Sequence, residues 1–254
     1  MGLLDDKGIL ITGGASGIGR ATAEEAVAEG ARVVLADVND DQGEEVAAEL
    51  GDAASYLHCD VTDEASVEAS VAGAVERLGR LDGSFNCAGI LAALGNAGEV
   101  PLEEWEKVIA VDLNGVFLCT KHQLAPMAAQ GSGSILNMAS AAGLIGWPGA
   151  SAYVAAKPGV VGLSKSAALE YAASGVRVNS ICPSYVLTPM VEKDLFEDAL
   201  GGDEELIAAA RANHPIGRFA EPAEIAAAAC WLLSDKASFV TGSAMSVDGG
   251  YTTP

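Results

Sequence analysis

The chain alternates between short apolar runs and longer segments rich in alanine and glutamate. The short runs are typical of buried strands, and the longer segments carry the spacing of helices. The pattern predicts strands at 8–12, 32–36, 54–58, 81–86, 134–138, 176–181 and 243–247. It predicts helices at 17–29, 40–50, 63–78, 101–129, 152–173 and 221–233, with one or two more inside a polar stretch at 183–215.

Alternation of this regularity favours the α/β class, with a doubly wound parallel sheet of about seven strands and helices on both faces. Right-handed crossovers then bring the carboxyl end of every strand to one edge of the sheet. No linker, repeat or low-complexity segment interrupts the pattern, so we expect residues 1–254 to form a single domain.

Composition removes several classes of function. No apolar run approaches the roughly 20 residues that span a bilayer, and the first residues lack a basic region with a cleavage site. The five cysteines are scattered without a CxxC pair, and the three histidines are far apart. We therefore expect a cytoplasmic protein with reduced thiols, no membrane contact and no metal site.

Charge argues against one class of partner. The formal net charge is −21, from 35 acidic and 14 basic residues. A field of this sign repels phosphate backbones, so we expect no nucleic-acid partner. The charge is spread along the chain and by itself names no function.

A glycine-rich turn follows the first predicted strand and precedes a helix, in the segment TGGASGIG at 12–19. Gly13 permits a tight turn, Gly17 lets backbone N–H groups approach a pyrophosphate, and Gly19 lets the helix pack close to the strand. The helix N-terminus adds positive potential. A plain glycine-rich turn is the alternative, but the strand before and the helix after favour a dinucleotide in a Rossmann-type fold.

The glycine spacing at 13–19 resembles the TGxxxGxG motif of the classical short-chain dehydrogenase/reductase family. The segment NCAG at 86–89 resembles the family's NNAG turn, with Cys87 in place of the second asparagine. The segment at 182–189 resembles the family's PG…T motif, and SVDGG at 246–250 resembles its last-strand signature. The resemblance extends from residue 8 to residue 250 with the motifs in order.

Ser140, Tyr153 and Lys157 resemble the catalytic set of this family. A free phenol titrates near pH 10, so a base working near neutrality must lose about 2–3 pKa units. A cation one helical turn away stabilises phenolate, although such pairs are also common on helix surfaces. The resemblance implies that Tyr153 exchanges the proton, that Lys157 lowers its pKa and binds the nicotinamide ribose, and that Ser140 orients the reacting oxygen.

Asn114 is the fourth residue in the catalytic set that the resemblance implies. It lies in the middle of a predicted helix, within VDLNG at 111–115, where asparagine is a poor helix former. The family counterpart bends the helix and binds a water that leads to the active site. The alternative is a tolerated polar residue without a role.

Asp37 ends the second predicted strand and bears on the choice of cofactor. A carboxylate there accepts hydrogen bonds from the ribose hydroxyls and repels a 2′-phosphate. No basic residue follows immediately, so the sequence predicts NAD rather than NADP; the alternative is that Asp37 begins the cap of the next helix. Asp60 and Val61 match the family's adenine contact, although they also read as the start of a helix cap.

The complete cofactor site that these arguments predict comprises Gly13, Ser16, Gly17, Ile18, Gly19, Asp37, Asp60, Val61, Asn86, Ala88, Gly89, Tyr153, Lys157, Pro183, Val186 and Thr188.

A substrate pocket should form beside the Ser-Tyr-Lys set, and the stretch at about 185–215 is the natural lid. Ser184 stands where the family has glycine, and we expect it to restrict the turn. Trp147 fits the pocket wall and core packing equally well. The predicted pocket comprises Ser140, Ala142, Trp147, Tyr153, Ser184, Tyr185 and Met190.

The helix predicted at 152–173 is apolar or small on nearly every face, and a helix of that kind is buried all round. One side can cover the sheet, so the other needs a second subunit, and the family's usual homotetramer fits this requirement.

We expect an NAD-dependent oxidoreductase that interconverts a secondary alcohol and a ketone. A dihydrodiol dehydrogenase and a 3-oxoacyl-carrier reductase are the alternatives within enzymes; the latter would favour NADP and a basic surface, which the sequence lacks. Enoyl reduction usually places the tyrosine and lysine further apart. A nucleotide-sensing module that lost catalysis and a structural scaffold are the alternatives outside enzymes.

Overall fold

The computed structural model describes residues 2–92 and 94–253. Its strands form one parallel sheet in the order β3-β2-β1-β4-β5-β6-β7, which confirms the predicted doubly wound α/β fold. The strands are β1 (Gly8–Thr12), β2 (Arg32–Asp37), β3 (Ala54–His58), β4 (Gly83–Asn86), β5 (Gly133–Met138), β6 (Val176–Pro183) and β7 (Ala244–Val247).

The helices occupy the predicted places, with ends that shift by a few residues. They are α1 (Gly17–Ala28), α2 (Asp40–Leu50), α3 (Glu64–Leu78), α4 (Leu102–Ile109), α5 (Val116–Gln130), α6 (Ser151–Tyr171), α7 (Glu204–Ala212) and α8 (Pro222–Leu233). The helix predicted at 101–129 is α4 and α5 joined by a π-helical segment, Ala110–Gly115. A second π-helical segment, Met190–Ala199, and α7 are the helices expected inside 183–215.

The sheet is buried on both faces because its strands alternate between two apolar layers. In β1, Ile9 and Ile11 face the layer that includes Ile225 of α8, whereas Leu10 faces the layer that includes Met127 of α5. All five β1 residues are buried. Each large apolar side chain removed from water contributes about 1.5–3 kcal/mol. This two-sided burial requires helices on both faces.

The chain reverses its direction of progress across the sheet between β1 and β4. From β1 it continues to β2 and β3, and from β4 it continues to β5, β6 and β7. A crevice opens at the carboxyl edge where the two halves diverge, and ligands of open α/β sheets bind there. The turns after β1 and β4 meet in this crevice, where Cys87 N donates to Thr12 O at 3.2 Å.

Three observations concern membrane-spanning helices, cysteines and metal-binding groups. Among the described residues, no helix is long and apolar enough to cross a membrane. All five cysteines are free thiols, four of them buried. Within residues 2–92 and 94–253, no group of three His, Cys, Asp or Glu side chains is arranged to hold a metal ion.

Candidate active site

The glycine-rich turn after β1 has the geometry that its residues suggest. Gly13 has φ +67° and Gly17 has φ +51°, values that favour glycine. A Cβ on Gly13 would lie 2.8 Å from the backbone nitrogen of Ala88, and one on Gly19 would collide with the Gly13 carbonyl oxygen. Only glycine therefore fits this turn between β1 and the turn after β4.

The N-terminus of α1 is free to receive an anion. Ser16 occupies the N-cap position, but its hydroxyl does not cap the helix. The first turn of α1 contains no acidic residue. The unpaired N–H groups and the positive end of the helix dipole are therefore not neutralised by the chain itself. These features fit the pyrophosphate of a dinucleotide.

A cavity of about 360 Å³ runs along the carboxyl edge of the sheet from this turn to Tyr153 and Lys157. Every residue predicted for the cofactor site lines this cavity except Asn86. The segment Pro183–Thr188 closes the side opposite the turn after β4 with Val186 and Thr188, which are both buried. The sequence therefore located this cavity almost completely.

Asn86 is a correction to the predicted cofactor site. Its side chain is 1% exposed and donates to Asn137 Oδ1 at 2.8 Å and to Gln123 Oε1 at 3.0 Å. A buried amide must satisfy its hydrogen bonds inside the protein. The side chain of Asn86 therefore joins β4 to β5 and α5 and does not face the cavity, so only its backbone remains near the turn.

Asp37 is oriented at the far end of the cavity by backbone donors. Its Oδ2 accepts from Ala15 N and its Oδ1 from Asn39 N, both at 3.1 Å. Asn39, not Asp37, caps α2, with its side chain accepting from Gln42 N. The alternative interpretation of Asp37 as the start of the helix cap is therefore wrong. Its carboxylate is fixed at the cavity wall with acceptor capacity to spare.

Few lysine or arginine side chains lie near the Asp37 end of the cavity. Among the described residues that line the cavity, Lys157 at the opposite end is the only lysine or arginine. Arg20, on the first turn of α1, is paired with Glu24 at 2.8 Å and with Glu49 at 2.7 Å. Asp37 therefore presents negative charge where a 2′-phosphate would have to be bound.

Asp60 and Val61 line the cavity between Asp37 and the turn after β4. Asp60 Oδ1 accepts from the hydroxyl of Thr62 at 2.7 Å and from its backbone nitrogen at 2.9 Å, and these bonds lower the Asp60 pKa. The cap of α3 is Asp63, which accepts from Ala65 N. Asp60 is thus a charged wall residue and not the helix cap.

The Ser-Tyr-Lys set converges at the near end of the cavity. Tyr153 and Lys157 lie one turn apart on α6, and the Lys157 Nζ is 5.0 Å from the centre of the Tyr153 ring. Lys157 is 1% exposed, and its Nζ is 3.4 Å from the Met138 carbonyl oxygen at the end of β5. Ser140 follows β5, and its Oγ accepts from Ala142 N at 3.1 Å. Helix α6 and the end of β5 therefore bring the three side chains together.

The pKa of Tyr153 departs from the prediction. Burial raises it, because phenolate is disfavoured away from water, and the charge of Asp112 raises it further. Lys157 and the hydrogen bond with Ser140 lower it, but they do not reverse the direction. The predicted direction of the Lys157 effect is therefore confirmed, but in the protein without cofactor the effect of burial on the Tyr153 pKa is larger.

Asn114 is a second correction. The helix is irregular where the resemblance implies a bend, but Asn114 is exposed and lines neither this cavity nor the neighbouring one. Asp112 takes the inward position. It is 0% exposed, and its Oδ2 lies 3.3 Å from the Lys157 Nζ. The sequence carried a signal for this, because Val108, Asp112 and Val116 recur at the four-residue spacing of one buried face.

A second cavity, of about 70 Å³, adjoins the first and shares Ser140, Tyr153, Ser184 and Met190 with it. All residues of the predicted substrate pocket line it. The Trp147 ring stands edge-on to Tyr153, with centres 6.3 Å apart. Trp147 is therefore a wall residue and not part of the core.

Ser184 and His214 form a contact that sequence reasoning missed. No described residue other than glycine has positive φ except Asp6, so Ser184 does not strain its turn as expected. His214 is 2% exposed; its Nε2 lies 2.9 Å from Ser184 Oγ and its Nδ1 lies 3.1 Å from the Ala210 carbonyl oxygen on α7. The pair joins the 185–215 segment to the pocket. Thirty residues separate the two side chains, and no local pattern marks their contact.

Comparison with known proteins gives the family. A family model described as enoyl-(acyl carrier protein) reductase matches residues 13–252. The 2,5-dichloro-2,5-cyclohexadiene-1,4-diol dehydrogenase of Sphingobium indicum is 48% identical over 250 residues, covering 98% of each chain. The chain belongs to the short-chain dehydrogenase/reductase family. It is an oxidoreductase with the Rossmann-type fold of that family.

Solved structures of relatives have the same fold. The crystal structure of levodione reductase superimposes with a TM-score of 0.95, at 40% identity over 98% of this chain and 99% of that one. A 3-ketoacyl-(acyl-carrier-protein) reductase from Brucella melitensis, in complex with NADH, superimposes with a TM-score of 0.90 at 34% identity. It covers 98% of this chain and 99% of its own.

Proposed function

We propose that the protein is an NAD(H)-dependent dehydrogenase that interconverts a compact apolar secondary alcohol and its ketone, with Tyr153 as the general acid and base. The observation that carries the proposal is the convergence of Ser140, Tyr153 and Lys157 where the two cavities meet. A cofactor in the larger cavity and a substrate in the smaller one would then be adjacent at the phenol.

The chain's own groups account for the proton. In the direction of oxidation, the hydroxyl of the alcohol donates its proton to the phenolate oxygen of Tyr153, and Ser140 holds the reacting oxygen by a hydrogen bond. A nicotinamide held in the larger cavity would supply the acceptor for the hydride of the carbinol carbon, and its positive charge in the oxidised form would favour phenolate. A positive charge there would lower the pKa of Tyr153, which burial raises.

The preference for NAD over NADP rests on Asp37. Its carboxylate is fixed by Ala15 N and Asn39 N, and no lysine or arginine among the described lining residues stands near it to bind a 2′-phosphate. The relative in complex with NADH supports a nicotinamide cofactor for the family site.

The walls of the smaller cavity support an uncharged apolar substrate. Apart from the hydroxyls of Ser140, Tyr153, Ser184, Tyr185 and Tyr251, its described lining is carbon-rich and contains no ionised side chain. The relative that acts on a cyclohexadienediol supports a ring alcohol, in line with the dihydrodiol alternative. The relative that reduces a carrier-bound ketoester supports the other alternative, which the absence of a lysine or arginine from the described lining disfavours.

The test is turnover with purified protein, NAD⁺ or NADP⁺, and cyclic, acyclic and acyl-carrier substrates, followed by the absorbance of the reduced cofactor. We expect NAD⁺-dependent oxidation of cyclic secondary alcohols. Tyr153→Phe should abolish it while NADH still binds, as measured by fluorescence. Tyr171→Phe, at the other end of α6, is the matched control and should retain activity.

Three results would refute the proposal. Turnover that survives Tyr153→Phe would exclude the phenol as the acid and base. Tight NADH binding without turnover of any substrate would favour the nucleotide-sensing module, and no binding at all would favour a scaffold.

We also propose that the protein works in the cytoplasm on a small molecule, which the five free thiols and the net charge of −21 support. Finding it in an oxidising compartment, with its thiols paired in disulfides, would contradict this.

A further inference from the structure

Asp112 is the one acidic side chain in contact with the Lys157 ammonium among the described residues. It lies in the π-helical segment between α4 and α5, and it is 0% exposed. Its Oδ1 accepts from Ile90 N at 2.8 Å, and its Oδ2 is 3.3 Å from Lys157 Nζ. Oδ2 has no hydrogen bond of good geometry with any described residue. The pair is therefore held by charge and by one backbone donor.

The local sequence makes room for this pair. A Cβ on Gly89 would lie 3.4 Å from Asp112 Oδ1 and 3.5 Å from Lys157 Nζ. Gly115, at the end of the π-helical segment, lets that segment approach Val61, since a Cβ there would be 2.9 Å from the Val61 side chain. The close approach at Gly115 thus brings the π-helical segment, and with it the carboxylate, toward the cavity, whereas a Cβ on Gly89 would make only ordinary contacts with the pair.

The titratable groups around Lys157 come from three elements. Tyr153 stands on the same helix, Asp112 on the π-helical segment, and Cys87 on the turn after β4, with Asp37 acting on Cys87 from the rim. Cys87 has its pKa raised to about 12 by burial and stays neutral. Lys157 is the one cation among the described groups that act on Tyr153, so besides burial the charges that decide the Tyr153 pKa are those of Lys157 and Asp112.

We propose, on the basis of the proposed function, that Asp112 is a positioning residue that keeps Lys157 charged beside Tyr153 and sets the pH range in which the pair accepts the substrate proton. Asp112 contacts the lysine and not the reacting atoms, so it acts through Lys157.

The negative charge of Asp112 has two opposing effects on the Tyr153–Lys157 pair. The first proton lost from the Tyr153–Lys157 pair belongs to the pair as a unit, and a nearby negative charge moves that loss to higher pH. The same charge lies against the ammonium, so it favours phenolate with ammonium over phenol with neutral amine. Asp112 therefore moves the acidic limit of activity to higher pH. It also increases the fraction of the pair that is present as phenolate with ammonium, the form that accepts the substrate proton.

The first test is the pH profile of kcat/KM for alcohol oxidation by the holoenzyme of Asp112→Asn, which removes the charge and keeps the shape. We expect the ascending limb to move about one pH unit toward acid and the plateau to fall about threefold, since the reactive form is a smaller share of the pair once the first proton is lost. Asp82→Asn is the matched control. Asp82 is 9% exposed and lies at the opposite edge of the sheet, where its Oδ2 accepts from Gly8 N and its Oδ1 pairs with Arg80, and removal of its charge should leave the profile in place.

The second test does not depend on turnover. The ionisation of Tyr153 is followed by phenolate absorbance without cofactor, as the difference between each protein and its Tyr153→Phe form. The onset of the phenolate absorbance, which is the quantity compared, should lie at lower pH in Asp112→Asn than in the parent, and the absorbance should then level off at a smaller amplitude. Should this variant not fold, Asp112→Ser removes the charge with less volume and gives the same direction.

A lowered plateau with an unmoved limb means that Asp112 is only structural, and that result overturns the inference. A shift of the limb or of the tyrosine titration toward alkali overturns it as well. Either outcome leaves the proposed function standing. If the proposed function itself fails, for example because Tyr153→Phe still turns over substrate, the tyrosine titration alone decides the inference.

Discussion

The buried pair of Lys157 and Asp112 predicts a large loss of stability for Lys157→Met. Methionine keeps the length and the apolar character of the lysine stem, so packing changes little. The substitution leaves the Asp112 carboxylate 0% exposed, with Ile90 N as its one hydrogen-bond donor among the described residues. Breaking a buried pair by removing one partner costs about 3–5 kcal/mol, and with neither side chain more than 2% exposed, water does not screen it.

The double variant Lys157→Met with Asp112→Asn separates charge from packing. It removes both charges, and replacing a buried pair by neutral groups is often close to neutral in stability. We therefore expect the double variant to recover most of the loss, with a coupling free energy of about 2–3 kcal/mol between the two positions. The assay is equilibrium unfolding in urea for the parent, the two single variants and the double variant.

The loss should also depend on pH in a defined direction. Burial raises the pKa of Asp112 above its unfolded value, and removal of Lys157 raises it further. A carboxyl whose folded pKa is raised binds more protons in the folded state, so stability falls as pH rises through that pKa. The deficit of Lys157→Met should therefore shrink as the pH is lowered, because protonation of Asp112 removes the unpaired charge.

Two results would refute this reasoning. If the single losses simply add in the double variant, the two charges do not interact. If the Lys157→Met deficit does not change as the pH is lowered, Asp112 is not the group left unpaired. Lys165→Met, an exposed lysine on the same helix, is the control and should change stability by no more than about 0.5 kcal/mol.

Three further predictions test other parts of the molecule. Asp37→Ser combined with Val38→Arg, at a position 60% exposed, should shift the ratio of kcat/KM for NAD⁺ over NADP⁺ about 100-fold toward NADP⁺, equivalent to about 2.7 kcal/mol; an unchanged ratio would show that Asp37 does not select the cofactor. Gly19→Ala introduces a methyl group that collides with the Gly13 carbonyl oxygen; it should weaken NADH binding about tenfold in a fluorescence titration and lower stability by about 1–3 kcal/mol. We propose that the protein is a homotetramer, because Leu169 on the outer face of α6 is 86% exposed; Leu169→Glu should reduce the mass measured by light scattering, and a monomeric parent would contradict the proposal.

The sequence predicted well those features that depend on neighbours along the chain. The seven strands follow from short apolar runs, and the cavity beside the 13–19 turn follows from its glycines, each of which serves a conformation or a close approach within a few residues. Tyr153 and Lys157 are close because one helical turn fixes their spacing. Local rules suffice for these features.

Site features that depend on contacts between segments distant in the sequence were not predicted, or were predicted at the wrong residue. The family resemblance, together with the rarity of asparagine inside helices, points to Asn114. The π-helical segment and the buried face of α4 and α5 instead turn Asp112 inward. Asn86 was assigned to the cofactor by motif, but a tertiary hydrogen-bond network with Gln123 and Asn137 takes up its amide. Both corrections come from side-chain direction, which residue type does not encode.

The pKa of Tyr153 shows that the sequence spacing from Lys157 does not by itself fix the direction of the shift. The spacing of Tyr153 and Lys157 fixes a distance but not the field, because the field also contains Asp112 from a segment more than 40 residues away and the loss of water on burial. If the proposed function holds, the Asp112 carboxylate opposes the effect of the ammonium, and we expect the phenol of this chain to depend more on a positively charged cofactor than a Tyr–Lys pair facing a neutral amide would. The acidic limit of alcohol oxidation should therefore lie at higher pH here than in an otherwise equal site with asparagine at position 112.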